Sequence, residues 1–417
     1  MDTNRILKIG LFGFGCVGQG LYDILQRQPG FPAQIVNICV KDPLKERSLP
    51  ADCFTFDAQE LLNDDSLDIL VEAISDAHDA YDIVTSALRQ GKRVVTANKK
   101  MVAHHLEKLL QLQAEYGGVL LYEAAVAGGI PIVRTVEEYF GQEPVSRISG
   151  ILNGSSNYIL SQIFKEQKPY SEALQEAKDK GFAELDPWLD VSGADSRHKL
   201  CILAAHAFGR VLAPEEVPFI GINALAKADW EFAKRRGAVI KLVASLHNTE
   251  EGNLVPLVLP TLVNPIDDLY TVEQEFNGIV VEGAYAGAQL FKGRGAGGHP
   301  TGAAVLSDIT GLLKSYQYQY KKLHEQLEEA GLDTDFELEV YVRTENVALL
   351  GALGLTQIKL LQRQGESIIL VGNVTLGALV KYQEKLRETG SIVMATSLHY
   401  IAAQEKKKAT PELAVAL

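Results

Sequence analysis

The segment Gly181–Leu200 gathers charged side chains that could act together on a small molecule. Five of its charged residues are Glu184, Asp186, Asp190, Asp195 and Lys199. The order Ser192-Gly-Ala-Asp195 has the spacing of a capping box and predicts a helix that begins near Gly193. Asp195 and Lys199 would then share one helix face. A solvated helix start with an (i, i+4) ion pair gives the same pattern, so the segment alone favours neither interpretation.

The chain that positions these residues has 417 amino acids, which predicts two or three domains. Hydrophobic residues make up 47% and charged residues 22%, as is usual for globular proteins. The net charge is −13, and the terminal basic stretch Lys406-Lys-Lys408 is short. Because nucleic-acid affinity comes chiefly from clustered Lys and Arg, we expect a small-molecule ligand and no nucleic-acid partner.

The cysteine pattern and the first residues indicate a reducing compartment. Cys16, Cys39, Cys53 and Cys201 include no Cys-x-x-Cys pair, which fits neither a zinc site nor a disulfide framework. The polar Met1–Arg5 leads into an apolar run far shorter than the ~20 residues of a membrane span. We therefore expect a cytoplasmic protein without an export or membrane-anchoring signal.

A strand, a glycine turn and a helix are predicted at the start of the chain. The apolar run Ile6–Phe12 leads directly into the turn, and Leu21–Leu25 follows at helical spacing. The turn consists of Gly13, Phe14, Gly15, Cys16, Val17 and Gly18. Its first two glycines permit a tight turn and the approach of a pyrophosphate, and the third lets the helix pack on the strand. With a second apolar strand at Ile35–Val40, this context favours dinucleotide binding over a structural turn.

The residues after the second strand bear on the choice between NADP and NAD. Lys41, Lys45 and Arg47 offer three cations that could hold a 2′-phosphate. Asp42 leaves NAD open, because an acid there accepts from the ribose 2′-OH and would repel a 2′-phosphate. NADP is favoured, although a solvated surface loop explains the same residues about as well.

Two further strand ends should face the cofactor. The strand Asp68–Ile74 ends at Ser75, and the strand Arg93–Thr96 leads to Lys99. Ligands collect beyond the carboxyl ends of strands in an open parallel sheet, so Ser75 and Lys99 should lie where a nicotinamide ribose and a substrate meet. A merely exposed lysine is the alternative for Lys99.

Two other turns carry groups that could bind small ions. The strand Val119–Tyr122 enters the glycine-rich bend Glu123–Pro131, whose carbonyls could bind a ligand or simply turn the chain. After Val145 a strand leads into Asn153-Gly-Ser-Ser-Asn157 at a predicted helix start. Hydroxyls, amides and backbone N–H groups there would suit a small carboxylate, although N-capping alone could account for them.

Together these motifs resemble the homoserine dehydrogenase family, in the same order from Ile6 to Asp308. The resemblance rests on the Rossmann glycines, Thr96-Ala-Asn-Lys99, Glu123–Pro131, Asn153–Tyr158, the segment from Gly181 through Lys199, and Gly293-Arg-Gly-Ala-Gly-Gly-His-Pro-Thr301. It implies reduction of L-aspartate 4-semialdehyde to L-homoserine with NAD(P)H, on the route to threonine, methionine and isoleucine. It also implies an α/β fold with a Rossmann-type doubly wound parallel sheet, an α+β catalytic and oligomerisation domain, and at least a dimer.

The resemblance also assigns roles to single residues. It implies that Lys199 donates a proton to the carbonyl oxygen, with Lys99 as second lysine and Asp195 as the acid beside them. Substrate binding falls to Glu184, which would hold the amino group, and to Asp190, Asn153, Gly154 and Ser155. Gly297 would lie near the nicotinamide. A monovalent cation, sodium by expectation, would bind main-chain oxygens of Glu123, Val126, Gly128 and Ile130.

Elementary chemistry agrees with these roles. Hydride transfer to an aldehyde leaves a developing alkoxide, which ammonium groups stabilise and protonate. In the oxidative direction a lysine must be neutral, so homoserine oxidation should improve at alkaline pH. The chain departs from the family pattern at Ser75-Asp76, where many members have glycine, and at Ser155-Ser156, where Thr-Thr is commoner. The aspartate leaves cofactor affinity and selectivity open.

The last part of the chain predicts a β-α-β-β-α-β module between Phe336 and Ala395. This order resembles the small ferredoxin-like ACT regulatory domains of many bacterial homoserine dehydrogenases. No Asp-x-Pro-Gly turn follows its first strand, so subunit assembly and amino-acid sensing stay open alternatives. The expected domains are residues 1–135 completed by 293–320, residues 136–292 and residues 334–417. The Lys406-Lys-Lys408 tail is expected to be a frayed end.

Two other functions compete with the dehydrogenase. An aspartate dehydrogenase would share the first domain but has no need of the residues from Glu184 to Lys199. A non-catalytic cofactor-binding sensor would keep the glycines but could lose both lysines freely. Lys99 and Lys199 are present. NADPH oxidation on addition of aspartate semialdehyde separates these alternatives.

Overall fold

The computed structural model describes residues 6–325 and 331–399. Up to residue 208 the elements are β1 (Leu7–Phe12), α1 (Cys16–Gln26), β2 (Ala33–Cys39), β3 (Phe54–Thr55), α2 (Ala58–Leu62), β4 (Ile69–Glu72), α3 (Ala77–Arg89), β5 (Arg93–Thr96), α4 (Lys99–Tyr116), β6 (Val119–Leu121), α5 (Ile132–Arg134), β7 (Val145–Ile151), α6 (Gly154–Glu166), α7 (Tyr170–Asp179), α8 (Trp188–Ser192) and α9 (Ala194–Phe208). The later elements are α10 (Lys227–Arg235), β8 (Val239–Asn248), β9 (Leu254–Val263), β10 (Phe276–Gly283), β11 (Gly287–Arg294), α11 (Gly298–Leu313), α12 (Lys321–Glu325), β12 (Glu337–Thr344), α13 (Val347–Leu353), β13 (Thr356–Gln364), β14 (Ser367–Thr375), α14 (Leu376–Glu388) and β15 (Ile392–Ala395).

The chain divides into two compact units. Unit 1 contains the described residues of Met1–Val145, His198–Pro214 and Phe291–Leu327. Unit 2 contains those of Ser146–Arg197, Glu215–Leu290 and Glu328–Leu417. Each unit is therefore built from three separate stretches of the sequence. The predicted Lys406-Lys-Lys408 tail lies outside the described residues.

Unit 1 is built on a six-stranded parallel sheet in the order β3-β2-β1-β4-β5-β6. The strand order reverses at β1, which places a switch point between β1 and β4, where open sheets of this kind bind their ligands. All four residues of β4 are buried, as expected for a strand covered on both faces. The predicted Rossmann-type sheet is confirmed.

Helices of unit 1 start where the sequence supplies capping residues. Asp76 accepts hydrogen bonds from the N–H groups of His78 and Asp79 at the start of α3, and Asn98 accepts from Met101 at the start of α4. The helix α11 begins at Gly298. Pro300 is tolerated there because first-turn N–H groups have no helical partner.

Unit 2 is built on a nine-stranded mixed sheet in the order β11-β10-β7-β8-β9-β15-β12-β14-β13. Its longest pairing joins β8 and β9 antiparallel over ten residues each. Every residue of β9 is buried. The helix α6 packs against β8 and β10, and this places its first turn beside the sheet.

The C-terminal module, β12 to β15, has the β-α-β-β-α-β order that the sequence predicts. Its strands lie in the order β15-β12-β14-β13 with antiparallel neighbours. The module continues the larger sheet, because Ala395 of β15 pairs in parallel with Thr261 of β9. Val340 and Leu386 of the module share one apolar cluster with Leu257 of β9. The module therefore does not have a core of its own.

Within the described part of the chain, no helix is both long and apolar enough to cross a membrane. The four cysteines are all free thiols.

Candidate active site

The glycine turn between β1 and α1 has the geometry of a phosphate cradle. Gly13 adopts φ +93°, and a Cβ on it would lie 2.6 Å from the Ala73 carbonyl oxygen. A Cβ on Gly18 would lie 2.3 Å from the Gly13 oxygen, so α1 packs tightly on the turn. A Cβ on Gly15 would meet no protein atom within 4 Å. The turn is thus close-packed at its first and last glycines and open at the middle one, which fits a pyrophosphate at the helix start.

Three charged side chains after β2 make different contacts. Lys41 Nζ donates to Asp79 at 3.0 Å, and this hydrogen bond raises the pKa of the fully exposed lysine. Asp42 accepts from the Leu44 N–H at 2.8 Å and so serves its own turn. The Arg47 guanidinium lies over the Phe54 ring, 5.3 Å from its centroid. Lys41 and Arg47 therefore each contact another side chain of unit 1.

Asp76, one of the departures from the family pattern, serves as a helix cap. Its Oδ1 atom accepts from the N–H groups of His78 and Asp79, both at 2.9 Å. These hydrogen bonds lower the pKa of the carboxyl group. The preceding Ser75 is exposed at the end of β4. The aspartate is therefore accommodated by the first turn of α3.

Lys99 is the first residue of α4, and its neighbours fix where that helix begins. The Asn98 side chain accepts from the Met101 N–H at 3.0 Å and donates to the Ile74 carbonyl at 3.3 Å. Its own N–H donates to Thr96 Oγ1 at 3.0 Å. Asn98 thus joins the ends of β4 and β5 to the start of α4.

Glu72, at the end of β4, completes this arrangement and was not predicted from the sequence. The Thr96 hydroxyl donates to one carboxylate oxygen, and the Ile74 N–H donates to the other at 2.7 Å. Burial raises the pKa of Glu72 to about 7 despite both donors. An acid within an otherwise apolar buried strand is the signal in the sequence that could have found it.

The bend after β6 contains the predicted cation ligands on one short stretch. The Glu123 carboxylate caps α5, accepting from the N–H groups of Val133 at 2.9 Å and Arg134 at 2.8 Å. Burial raises the pKa of Glu123 to about 7. A Cβ on Gly128 would lie 2.6 Å from the Gly295 oxygen, which explains the glycine. Any cation here would be bound by main-chain oxygens, because the Glu123 side chain is already occupied.

Asp308 of α11 is a second buried acid at this bend that the sequence did not reveal. It accepts from the Glu123 N–H at 2.9 Å and from Arg134 Nη2 at 2.8 Å. Burial and the Glu123 charge raise its pKa to about 8. Among the residues that the structure describes, no group of three His, Cys, Asp or Glu side chains could hold a metal ion.

In unit 2 the start of α6 is bonded to two carboxylates of the acidic segment. The Asn153 side chain caps α6 by accepting from the Ser156 N–H at 2.8 Å. Its amide nitrogen donates to Asp190 at 3.2 Å and to Asp195 at 3.1 Å. Asn153 therefore acts both as a helix cap and as a bridge to the acidic segment.

Asp190 is the centre of this network. Its Oδ1 atom lies 3.0 Å from Ser155 Oγ, and its Oδ2 atom accepts from the Glu184 N–H at 3.2 Å. Ser155 Oγ is also 2.5 Å from the Phe182 carbonyl oxygen. The contacts fix the backbone at Glu184, whose own side chain is exposed. Gly154 is held against the Glu275 carbonyl, which a Cβ would approach to 2.5 Å.

The junction between α8 and α9 tests the solvated helix start that the sequence leaves open. Gly193 adopts φ +92°, and α9 begins at Ala194, as predicted. The Ser192 hydroxyl accepts from the Ala194 N–H at 3.2 Å. Asp195 and Lys199, one turn apart, are only 4% and 6% exposed. A solvated ion pair is therefore excluded, since burying two charged groups is costly unless they have partners.

The predicted residues fall into two sets. Asn153, Ser155, Asp190, Asp195 and the Glu184 backbone form one hydrogen-bonded network in unit 2. The glycine turn, Ser75, Lys99, the cation bend and Gly297 belong to unit 1. The helix α9 carries both Asp195 and Lys199. The first set can hold a substrate ammonium, and the second can hold a dinucleotide.

Two family models match the chain. Residues 13–123 match the model described as homoserine dehydrogenase, NAD binding domain, and residues 131–310 match the model described as homoserine dehydrogenase. The homoserine dehydrogenase of Bacillus subtilis (strain 168) is 37% identical over 320 residues, which cover 75% of this chain and 74% of that protein.

Solved structures extend the similarity. A crystal structure of a homoserine dehydrogenase from Thiobacillus denitrificans matches with a TM-score of 0.78 and 28% identity, over 94% of this chain and 98% of that one. A hyperthermophilic archaeal homoserine dehydrogenase in complex with NADPH matches with a TM-score of 0.64 and 28% identity, over 75% of this chain and 99% of that one. The first match is long enough to include most of the C-terminal module.

Proposed function

The chain belongs to the homoserine dehydrogenase family, and from this premise we propose which of its residues perform the reaction. The enzyme is an NAD(P)-dependent oxidoreductase that reduces L-aspartate 4-semialdehyde to L-homoserine, reversibly, in the biosynthesis of threonine, methionine and isoleucine. Its cofactor is a nicotinamide dinucleotide. The observation on which the residue roles chiefly rest is the burial of Lys199 and Asp195 on one face of α9.

The dinucleotide would be held by the glycine turn. The backbone of this turn offers N–H groups to the pyrophosphate at the start of α1. The turn consists of Gly13, Phe14, Gly15, Cys16, Val17 and Gly18. Ser75, Lys99 and Gly297 would contact the nicotinamide half. When bound, the cofactor supplies the hydride.

NADP is the cofactor that we propose as preferred. Lys41 and Arg47 would hold a 2′-phosphate, for which Lys41 exchanges its hydrogen bond with Asp79, and Asp42 is engaged in its own turn. The archaeal relative named above was solved with NADPH. Comparing NADPH with NADH in the assay below tests this preference directly.

The substrate is held by unit 2 residues in this proposal. The exposed Glu184 carboxylate binds the amino group, and the start of α6, at Asn153, Gly154 and Ser155, faces the carboxylate. Asp190 holds the Glu184 backbone in place through its hydrogen bond. The acidic residues thereby orient a zwitterionic substrate before reaction.

Proton transfer is assigned to Lys199. Its ammonium group protonates the carbonyl oxygen as negative charge develops there, and Lys99 supplies a second cation. Asp195 orients Lys199 one turn away on α9. In the oxidative direction neutral Lys199 accepts the hydroxyl proton of homoserine, so this direction is faster at alkaline pH.

Lys199→Ala tests these roles. We expect it to lower kcat for NADPH-dependent reduction about 10²- to 10⁴-fold, the usual contribution of a positioned acid. Lys108→Ala, which removes an exposed lysine of α4, should leave the rate unchanged. Homoserine oxidation by the unmodified enzyme should rise as the pH is raised to about 10, because the neutral fraction of a lysine grows as the pH approaches the ordinary lysine pKa of about 10.4. Full activity of Lys199→Ala, or a flat pH profile, would contradict the lysine scheme.

Several finer properties complete the proposal. Main-chain oxygens of Glu123, Val126, Gly128 and Ile130 bind a monovalent cation, sodium in our proposal. The enzyme assembles at least as a dimer through residues 136–292, and residues 1–135 with 293–320 bind the cofactor. The ACT-like part of the chain, which the sequence predicts at residues 334–417, serves assembly or effector binding. A cytoplasmic location is consistent with four free thiols.

A further inference from the structure

One aromatic ring, Phe219, lies between the C-terminal module and the helix that carries Asp195. The Arg387 guanidinium of α14 lies over this ring, 4.0 Å from its centroid, and donates to the Phe219 carbonyl at 3.1 Å. The Arg197 guanidinium of α9 lies over the same ring at 4.4 Å. Arg387 and Arg197 thus meet at Phe219, although 190 positions separate them in the sequence (387 − 197).

The residues after Phe219 are packed against the junction of α8 and α9. The Ile222 N–H donates to the Val191 carbonyl at 2.8 Å. A Cβ on Gly221 would lie 2.0 Å from that same carbonyl oxygen, so the two backbones are in direct contact. The Phe219 ring reaches 3.6 Å from where a Cβ on Gly193 would be. The segment 219–222 therefore supports the turn that separates Asp190 from Asp195.

The pairing of two arginines on one ring is electrostatically unfavourable. Burial and the Arg197 charge both lower the pKa of Arg387. Cation–π contact and the hydrogen bond to Phe219 must offset that repulsion. The module is already attached to the sheet by the apolar cluster that contains Ile220, Leu379 and Leu386. Attachment alone therefore does not require Arg387.

We propose that Arg387 is a positioning residue for the dehydrogenase reaction, which acts through Phe219 on the α8–α9 junction and so keeps Asp190 and Asp195 in their bonded positions. The proposal rests on the roles assigned above to these two aspartates. It makes the C-terminal module a support of the substrate-binding segment even when no effector is bound. Removing the guanidinium should loosen substrate binding and leave the dinucleotide cradle of unit 1 unaffected.

Steady-state kinetics of homoserine oxidation test the proposal in the full-length enzyme. For Arg387→Ala we expect kcat/KM for homoserine to fall about fivefold to tenfold, as for the loss of one cation–π contact, with KM for NADP⁺ unchanged. Arg387→Lys, which keeps a cation and a donor, should recover most of the loss. The matched control is Lys385→Ala, which removes an exposed cation of the same helix turn and should have no effect.

Hydrogen–deuterium exchange provides a second readout. Peptides that cover residues 182–197 and 219–225 should exchange faster in Arg387→Ala than in Lys385→Ala, because the Ile222–Val191 hydrogen bond opens more often. Phe219→Leu keeps apolar bulk and should reproduce both effects if Arg387→Ala folds poorly. Unchanged kcat/KM for homoserine in Arg387→Ala and Phe219→Leu, or an equal rise of both KM values, would overturn the proposal.

Different experiments can contradict the positioning role of Arg387 and the roles proposed for the site residues. Asp195→Asn should be nearly inactive if the site is assigned correctly, and an active Asp195→Asn enzyme would overturn that assignment. The Arg387 comparison is decided by its own kinetics and exchange rates in either case.

Discussion

At the scale of residues, three carboxyl groups of unit 1 combine burial with hydrogen-bond donors. Glu72, Glu123 and Asp308 are each at most 2% exposed. Burial raises the pKa of the first two to about 7 and that of Asp308 to about 8. Their donors favour the charged form, but loss of hydration outweighs them. The protonation of these groups therefore changes within the range in which the enzyme would be assayed.

Glu72→Gln should change the way in which the thermal stability of the protein depends on pH. The folded-state pKa of Glu72 is raised above its ordinary value of 4.5 to about 7, so its favourable contribution is complete at low pH and is lost as the pH rises through about 7. Gln resembles the protonated acid and does not ionise. The melting temperature of Glu72→Gln minus that of the unmodified protein should increase between pH about 4.5 and about 7, the interval between the unfolded and folded pKa values, and stay constant above it.

Differential scanning fluorimetry across that range measures the difference, with Glu60→Gln on the exposed face of α2 as control. The control should show no such trend. A Glu72→Gln difference that stays constant with pH would mean that the buried carboxyl does not titrate there.

At the scale of elements, helix starts supply most of the proposed binding groups. The helices α1, α4 and α6 begin after Gly15, Asn98 and Asn153. Asn153 and Asn98 each use the side-chain oxygen for the cap and the side-chain nitrogen for a contact with another element. Each of these asparagines therefore both caps its helix and holds the start of that helix against another element.

Gly15→Ala and Gly18→Ala should separate cofactor binding from folding. A methyl group on Gly15 meets only open space, whereas one on Gly18 would collide with the Gly13 oxygen. We expect Gly15→Ala to keep its melting temperature and to raise KM for NADPH about tenfold or more, since the methyl group stands where a phosphate approaches. Gly18→Ala should instead lower the melting temperature by several degrees.

Thermal unfolding and steady-state kinetics on the two variants check this contrast. Equal loss of stability in both, or an unchanged KM for NADPH in Gly15→Ala, would mean that the turn does not hold the pyrophosphate.

The C-terminal half of α9 forms contacts with other elements of unit 1 that the sequence pattern does not predict. His206 bonds to Glu137 at 2.8 Å and to the Tyr122 hydroxyl at 2.9 Å, and Tyr320 lies 3.0 Å from that hydroxyl. Glu137 belongs to a π-helical turn, Thr135–Tyr139. The region from Tyr316 onward is rich in Tyr, Gln and Lys, yet Tyr320 is buried. Tyr318 and Tyr320 are buried because their hydroxyl groups have partners within unit 1.

At the scale of the whole molecule, the C-terminal module is part of the structure of unit 2. Asp229 of α10, which is fully buried, accepts from Tyr341 at 2.8 Å and from Arg343 at 2.9 Å. Leu257 and Leu259 of β9 are buried against module residues. The archaeal relative matches only 75% of this chain, so the same catalytic fold exists in a protein of shorter length.

A chain that ends at residue 327 should not yield a stable enzyme. Removal of the module would leave Asp229 without Arg343 and would expose Leu257 and Leu259 to water. A buried carboxylate that loses its partner costs about 3–5 kcal/mol, a large fraction of the stability of an ordinary domain. We expect aggregation on expression, measured by size-exclusion chromatography against the full-length protein. A soluble, active truncated enzyme would show that unit 2 folds without the module.

The sequence by itself determined the locally coded parts of this protein. The glycine turn, the strand ends at Ser75 and Lys99, the helix start near Gly193 and the order of the C-terminal elements are each written in contiguous residues. Hydrophobic periodicity and capping residues act over a few positions, so they are readable without the fold. The order of the motifs was enough to identify the family.

Only the tertiary structure decided which charged groups are buried and what they contact. The burial of Lys199 and Asp195, the central place of Asp190 and the raised pKa of Glu72 depend on chain segments remote in sequence. The bond between Glu123 and Asp308, for example, joins residues 185 positions apart. Desolvation and hydrogen bonding act through space and depend on every packed neighbour. The spacing of charges along the chain therefore could not distinguish a buried site from a solvated helix start.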